Sequence, residues 1–198
     1  MYKLKPLPFL YQDLEPYIDT HTQGLHYNKH QRNYLNKLNE LLEKNNYSFS
    51  YSEEDLYKHL NEFKLKDQND IIFNLGGVVN HDIYWKSINP HNKELPTGML
   101  LEKINKKYGS FDNFKNEFIK LALSLKGVGY TFLVKDKNND IDIINTTLQD
   151  NPLLFGYIPL FNVDMWEHAY YLGYKNNKQE YLENFFNIAN FNCANKNI

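Results

Sequence analysis

Apolar or aromatic residues at Leu25, Tyr34, Leu35, Leu38, Leu41 and Leu42 recur at helical spacing through residues 20 to 44. The pattern predicts a long helix with room for a kink, opened by Asp19 and Thr20 as caps. A polar stretch from Glu43 to Ser52 interrupts it, and a second helical region runs from Glu53 to Ile88, ending at Asn89-Pro90. Together the two regions read as a helical hairpin. After a linker from Pro90 to Gly98, helical text resumes at Met99 to Tyr108 and again at Phe111 to Leu125, punctuated by Gly109-Ser110. Gly129 to Val134 and Ile141 to Thr147 read as strands joined by the turn Lys137-Asn138-Asn139-Asp140, and Ile158 to Val163 supplies a third strand. Tyr181 to Asn190 closes as a helix. The fold class is therefore α+β: an N-terminal antiparallel helical hairpin domain, residues 1–89, followed by a C-terminal domain, residues 90–198, of helices around a small three-stranded antiparallel sheet.

Composition narrows the function. With 42% hydrophobic and 16% aromatic residues, the 198-residue chain has ample material for a packed core. A formal charge of −2 gives no global basic field, which argues against nucleic acid or an anionic membrane as a partner. No apolar stretch approaches the roughly 20 residues of a membrane span, and the N-terminus does not read as a signal h-region. Cys193 is the only cysteine, which excludes an internal disulfide framework and any cysteine-rich zinc or iron–sulfur site. A reducing, intracellular compartment is compatible with this: cytoplasmic, or mitochondrial had a targeting segment been removed. Arg32 is the only arginine among 22 basic residues, a bias that suggests AT-rich coding more than function.

Chemistry concentrates in Asp164-Met165-Trp166-Glu167-His168, where a carboxylate and an imidazole stand four residues apart behind an apolar strand. A carboxylate with neutral imidazoles suits iron, manganese or zinc. His26, His30 and Tyr34 follow at i, i+4 and i+8 on the first helix, where neighbours have Cβ atoms roughly 5 to 6 Å apart. Taken alone, that row reads equally well as a solvated polar face. His81 lies in the apolar run Ile71 to Trp85, and an unpaired buried polar group there costs about 1 to 3 kcal/mol; core hydrogen bonding is its plainer reading. His21, His59 and His91 sit in polar text. The His-Glu-x-x-His helix of zinc proteases is absent, as are the Glu-x-x-His pairs of di-iron bundles. What remains is His26, His81, Asp164 and His168, a mononuclear set drawn from both halves.

The chain resembles the iron/manganese superoxide dismutases. Their signature D-V-W-E-H-A-Y-Y appears as Asp164-Met165-Trp166-Glu167-His168-Ala169-Tyr170-Tyr171. Their H-Y-x-K-H-H-x-x-Y appears as His26 to Tyr34 with Gln31 in place of the second adjacent histidine, and their F-N-x-G-G-x-x-N-H as Phe73 to His81. Glu94 to Gly98 and Tyr108 to Lys115 also look like family text, so the resemblance runs from about Leu7 to Asn195. It implies one manganese or iron ion per subunit, bound by His26, His81, Asp164 and His168 between the two domains. It also implies alternating oxidation and reduction of that ion to disproportionate superoxide into dioxygen and hydrogen peroxide. His30 and Tyr34 would form the substrate gateway and proton route, with Lys29 a candidate guide for the anion. Tyr171 would reach His30, and Glu167 would reach His168, of a partner subunit, which makes a homodimer the functional unit. Trp166 stands immediately before Glu167 in the signature and would belong to the same site. The family's active-site glutamine comes from the position of Gly77 in iron-type members and from text like Q-D-x-P in manganese-type members; Gln149-Asp150-Asn151-Pro152 favours the manganese layout.

Several positions depart from the family. G-x-G-W-x-W-L becomes Gly127-Val128-Gly129-Tyr130-Thr131-Phe132-Leu133, so Tyr130 stands where a tryptophan walls the site. Val78 replaces a residue that is often histidine or tryptophan, and Lys178 sits where arginine is common. A metal-binding member of the same fold with weak dismutase activity is the alternative these changes leave open. Another mononuclear iron enzyme fits less well, because two-histidine-one-carboxylate sites leave more open positions.

Overall fold

The computed structural model describes residues 1–91 and 93–198; Asn92, inside the Pro90 to Gly98 linker, lies outside them. The first arm of the hairpin is one helical rod in three parts: α1 (Thr20–Leu25), a π-helical segment (His26–Gln31) and α2 (Arg32–Lys44). Asp19 caps it as expected, its carboxylate accepting from the Thr22 backbone N–H at 2.8 Å. The kink allowed for in the sequence is a change of helical pitch, a feature that often marks a functional site.

The second arm divides the helical region expected from Glu53 to Ile88 into two pieces. It is a 3-10 segment, Asp55–Glu62, followed by α3 (Leu65–Lys86), with extended backbone at Phe63 between them. The apolar pattern runs across this break because both pieces feed one core: Leu56 and Phe63 join Ile71, Leu75, Leu35 and Leu38. The pattern reported burial, and burial does not require an unbroken helix.

In the second half, α4 (Gly98–Tyr108) and α5 (Phe111–Ser124) fall where expected, and the Ser110 hydroxyl accepts from the Asn113 N–H at 3.1 Å to cap α5. The sheet is antiparallel with order β2-β1-β3, built from β1 (Gly129–Lys135), β2 (Ile141–Thr147) and β3 (Ile158–Asp164). A 3-10 turn, Glu167–Ala169, and the short α6 (Tyr171–Tyr174) follow. The last predicted helix is α7 (Lys178–Ile188), begun by the Asn177 side chain, and α8 (Asn192–Asn197) ends the chain. No sequence signal marked α8, which is too short and polar to show a period.

Central strand β1 is buried on both faces. Tyr130, Phe132 and Val134 join the hairpin core, whereas Leu133 joins a second core with Phe114, Phe118, Phe161 and Phe185. Helix α3 is shared likewise, with Val78, Val79 and Ile83 on one side and Tyr84 and Trp85 on the other. Apolar packing thus crosses residue 89 in both directions, and α3 lies against β3. Among the described residues no helix is long and apolar enough to cross a membrane.

Candidate metal centre

Four elements deliver one side chain each to a common point. His26 begins the π-helical segment, His81 lies deep in α3, Asp164 is the last residue of β3, and His168 stands in the 3-10 turn after it. One potential ligand atom from each lies within 4.8 Å of all the others, a group able to hold a metal ion. Asp164 Oδ2 is 3.1 Å from His26 Nε2, 3.4 Å from His168 Nε2 and 3.7 Å from His81 Nε2. His26, His81 and Asp164 are fully enclosed, and His168 keeps a small exposed edge.

The hydrogen bonding suits a cation. His81 Nδ1 lies 2.5 Å from the Gly77 carbonyl, so it carries the proton and leaves the Nε2 lone pair facing the cluster. Nε2 of His81 and Nε2 of His168 are buried without a hydrogen-bond partner, a costly arrangement for two imidazoles unless a ligand meets them. Burial lowers the pKa of His26 to about 4 and that of His81 well below the usual histidine range, so both present neutral nitrogens at pH 7. Burial alone would raise the Asp164 pKa, but His168 and His26 outweigh it and keep the carboxylate ionised. Its other oxygen accepts from the Trp166 backbone N–H at 2.7 Å, and its backbone carbonyl accepts from the Tyr181 hydroxyl at 3.0 Å. Three imidazole nitrogens and one carboxylate oxygen, with no thiolate, form a donor set matched to manganese or iron.

The remaining sequence candidates surround this group. His30 is half-buried and stacks on His168 at 4.1 Å; its pKa is lowered to about 4, first by burial and then by His168. His26 also packs on His168, at 4.7 Å, so the two first-arm histidines meet through a third ring. Tyr34 lies 5.7 Å from the His81 ring, and its hydroxyl accepts from Gln149 Nε2 at 3.1 Å. Burial raises the Tyr34 pKa, which keeps the phenol protonated at neutral pH. Trp166 stacks over His168 at 5.7 Å and donates its indole N–H to the Leu148 carbonyl. Glu167 and Tyr171 are exposed on the adjoining surface, Tyr171 at 47% beside Leu172 at 48%. Tyr130 pairs with Asp164 in the sheet register and is completely buried, its hydroxyl without a hydrogen-bond partner, although Asp164 and Tyr34 lie near enough to help burial raise its pKa.

Some parts of the site had no assigned place in the sequence. Asn80 braces Gln149, donating to its backbone carbonyl at 3.1 Å and accepting from Asn151 at 2.7 Å. A buried asparagine inside an apolar helix was the available signal, since such an amide needs partners. Gly76 and Gly77 matter through space: a Cβ on Gly76 would sit 1.8 Å from the Gln149 carbonyl oxygen, and one on Gly77 would sit 2.3 Å from the Tyr34 ring. Lys178, at the position where arginine is common, lies over the Tyr170 ring at 6.0 Å. A surface depression of about 480 Å³ opens between Lys29, His30, Arg32 and Tyr34. A larger one, about 730 Å³ between α5 and α7, shares no residue with the cluster.

Comparison with known proteins agrees with this geometry. The description "iron/manganese superoxide dismutases, alpha-hairpin domain" matches residues 1–89, and the C-terminal domain of the same family matches residues 96–197. The chain is 39% identical over 196 residues to "Superoxide dismutase [Mn] 1" of Leptolyngbya boryana, covering 98% of this chain and 79% of that protein. It is 36% identical over 193 residues to "Superoxide dismutase [Mn]" of Thermus aquaticus, covering 98% and 95% respectively. Against the protein of that name from Buchnera aphidicola it is 37% identical over 204 residues, covering 100% and 98%. With both domain descriptions matched and such relatives aligned almost end to end, the chain belongs to the iron/manganese superoxide dismutase family.

Proposed function

We propose that this chain disproportionates superoxide to dioxygen and hydrogen peroxide at one manganese or iron ion per subunit, held by His26, His81, Asp164 and His168, with residues 1–89 and 90–198 as the two domains meeting at the site. The observation that carries the reading is the convergence of three imidazole nitrogens on one buried carboxylate, two of those nitrogens having no partner of their own. A metal ion held by these four side chains would supply one-electron redox chemistry between its trivalent and divalent states.

The chain's own residues set the conditions for that chemistry. One anionic carboxylate among neutral imidazoles leaves a bound trivalent ion with net positive charge, which favours an anionic substrate. Tyr34 and Gln149 form a hydrogen-bonded pair at the edge of the cluster, and the phenol, protonated at neutral pH, is the group from which a proton is passed inward. His30 stacks on His168 and lines the same surface depression as Tyr34. Lys29 and Arg32 border the depression through which a small anion approaches. Gln149 from the sheet side, glycine at position 77 and the manganese in the relatives' names together support manganese as the working metal.

Glu167, Tyr171 and Leu172 are exposed close to His168 in the chain, and a second copy covering them would complete the site as a homodimer, with Glu167 on the partner's ligand His168 and Tyr171 on the partner's His30. Elemental analysis of the native protein, followed by removal of metal and reconstitution with manganese and iron separately, tests the metal and the activity together. Stoichiometric metal with dismutase activity is the expected result. Metal bound in full without activity would favour the metal-binding alternative, and sedimentation of the same samples tests the dimer.

A further inference from the structure

A line of hydrogen bonds runs from the surface to Trp85, whose ring packs on that of His26. Lys5 Nζ, 48% exposed, donates to Asp82 Oδ2 at 2.6 Å. Asp82 Oδ1 accepts from Gln31 Nε2 at 2.7 Å, and Gln31 Oε1 accepts from the Trp85 indole N–H at 2.8 Å. Trp85 packs edge-on against His26 at 4.7 Å and lies 6.2 Å from His81. Gln31, Asp82 and Trp85 are all buried.

The chemistry of the line dictates the residue at its centre. An indole N–H can only donate and a carboxylate can only accept, so the group between them must accept at one end and donate at the other. The glutamine amide does this, and Asp82 fixes which way round it lies, because the reversed amide would oppose donor to donor and acceptor to acceptor. Lys5 in turn holds Asp82. Gln31 belongs to the same π-helical turn that begins with His26, so the turn both carries a cluster histidine and clamps the ring that packs on it.

We propose that Gln31 is a positioning residue which locks Trp85 against His26 and thereby sets the orientation of that imidazole toward the metal, with Asp82 and Lys5 fixing the amide. The inference rests on the metal-centre reading above. Partners that orient a ligand in this way are worth about 10- to 100-fold in metal affinity or activity when removed.

The test uses the metal-loaded protein, its visible absorption spectrum and its retention of metal against a chelator, with thermal melting as the measure of folding. Gln31→Leu removes both bonds at similar volume, and Gln31→Glu keeps the acceptor for Trp85 while setting two carboxylates against each other. Each variant alters the visible spectrum and shortens metal retention about 10-fold or more. Combining Gln31→Glu with Asp82→Asn exchanges donor and acceptor between the two positions and restores both readouts toward the parent. The proposal is overturned if Gln31→Leu melts earlier but keeps the parent's spectrum and retention, or if the exchanged pair is no closer to the parent than Gln31→Glu alone. Should Gln31→Leu fail to fold, the exchanged pair decides the matter. A parent protein that takes up no metal would instead refute the metal centre itself.

Discussion

Adding a single methyl group at Gly76 or at Gly77 separates two kinds of damage. In an open helix interior, Gly→Ala is favourable by roughly 0.8 to 1.0 kcal/mol, so propensity alone predicts that both substitutions stabilise α3. Space predicts the reverse. At Gly76 the new Cβ would lie 1.8 Å from the backbone oxygen of Gln149, where ordinary contact begins at 3.4 Å. Backbone must therefore move by more than an ångström, and Gln149 is tied through that same oxygen to Asn80. Overpacking against yielding neighbours costs about 1 to 3 kcal/mol; with the backbone as obstacle, Gly76→Ala should lose at least 3 kcal/mol after the propensity gain. At Gly77 the obstacle is the Tyr34 ring at 2.3 Å, a side chain able to swing away. Gly77→Ala should cost about 0 to 2 kcal/mol net, yet displace the phenol from its 3.1 Å bond with Gln149 and lower turnover at least as far as Tyr34→Phe does. Urea melts at one fixed protein concentration, with and without metal, give the stabilities, and steady-state assays give the turnover. A Gly76→Ala protein as stable as its parent, or more so, would refute the packing argument outright.

Three further outcomes follow from the site. His81→Ala should abolish metal retention and dismutase activity together, measured by elemental analysis and assay on one preparation; activity surviving the change would remove His81 from the ligand set. Tyr34→Phe should retain full metal and lose about 1 kcal/mol of stability with the Gln149 bond, while altering turnover or inhibition by small anions; no change in either kinetic property would take Tyr34 out of the gateway. Stability of the metal-free protein should fall with acid. Burial lowers the folded-state pKa of His26 to about 4, so between pH 6.5 and 4 the unfolded chain takes up a proton that the folded chain refuses, and about 3 kcal/mol is lost across that window from His26. His81 acts in the same direction. Asp164, ionised well below that range, contributes only at lower pH. Denaturant midpoints that stay flat from pH 7 to 4.5 would mean these imidazoles are not buried neutral.

The candidate metal group stood out in sequence because its members violate their surroundings: His81 interrupts an apolar helix, and Asp164 ends an apolar strand with His168 four residues on. Family resemblance then joined them to His26. Secondary structure was legible wherever one element filled one period, as in β2 and α5, and failed where burial continued across a change of backbone, as between Leu56 and Phe63. The π-helical turn from His26 to Gln31 had no such signature, since apolar periodicity at 3.6 residues cannot reveal a few residues wound more widely. That turn explains what the i, i+4 argument did not. His26 is buried in the cluster while His30, four residues on, is half-exposed and meets it only through the face of His168. Gln31 at the end of the turn is directed inward to Asp82 and Trp85. One short stretch therefore supplies the proposed ligand, the proposed gateway residue and the proposed clamp, three directions that a regular polar face would have spent on solvent.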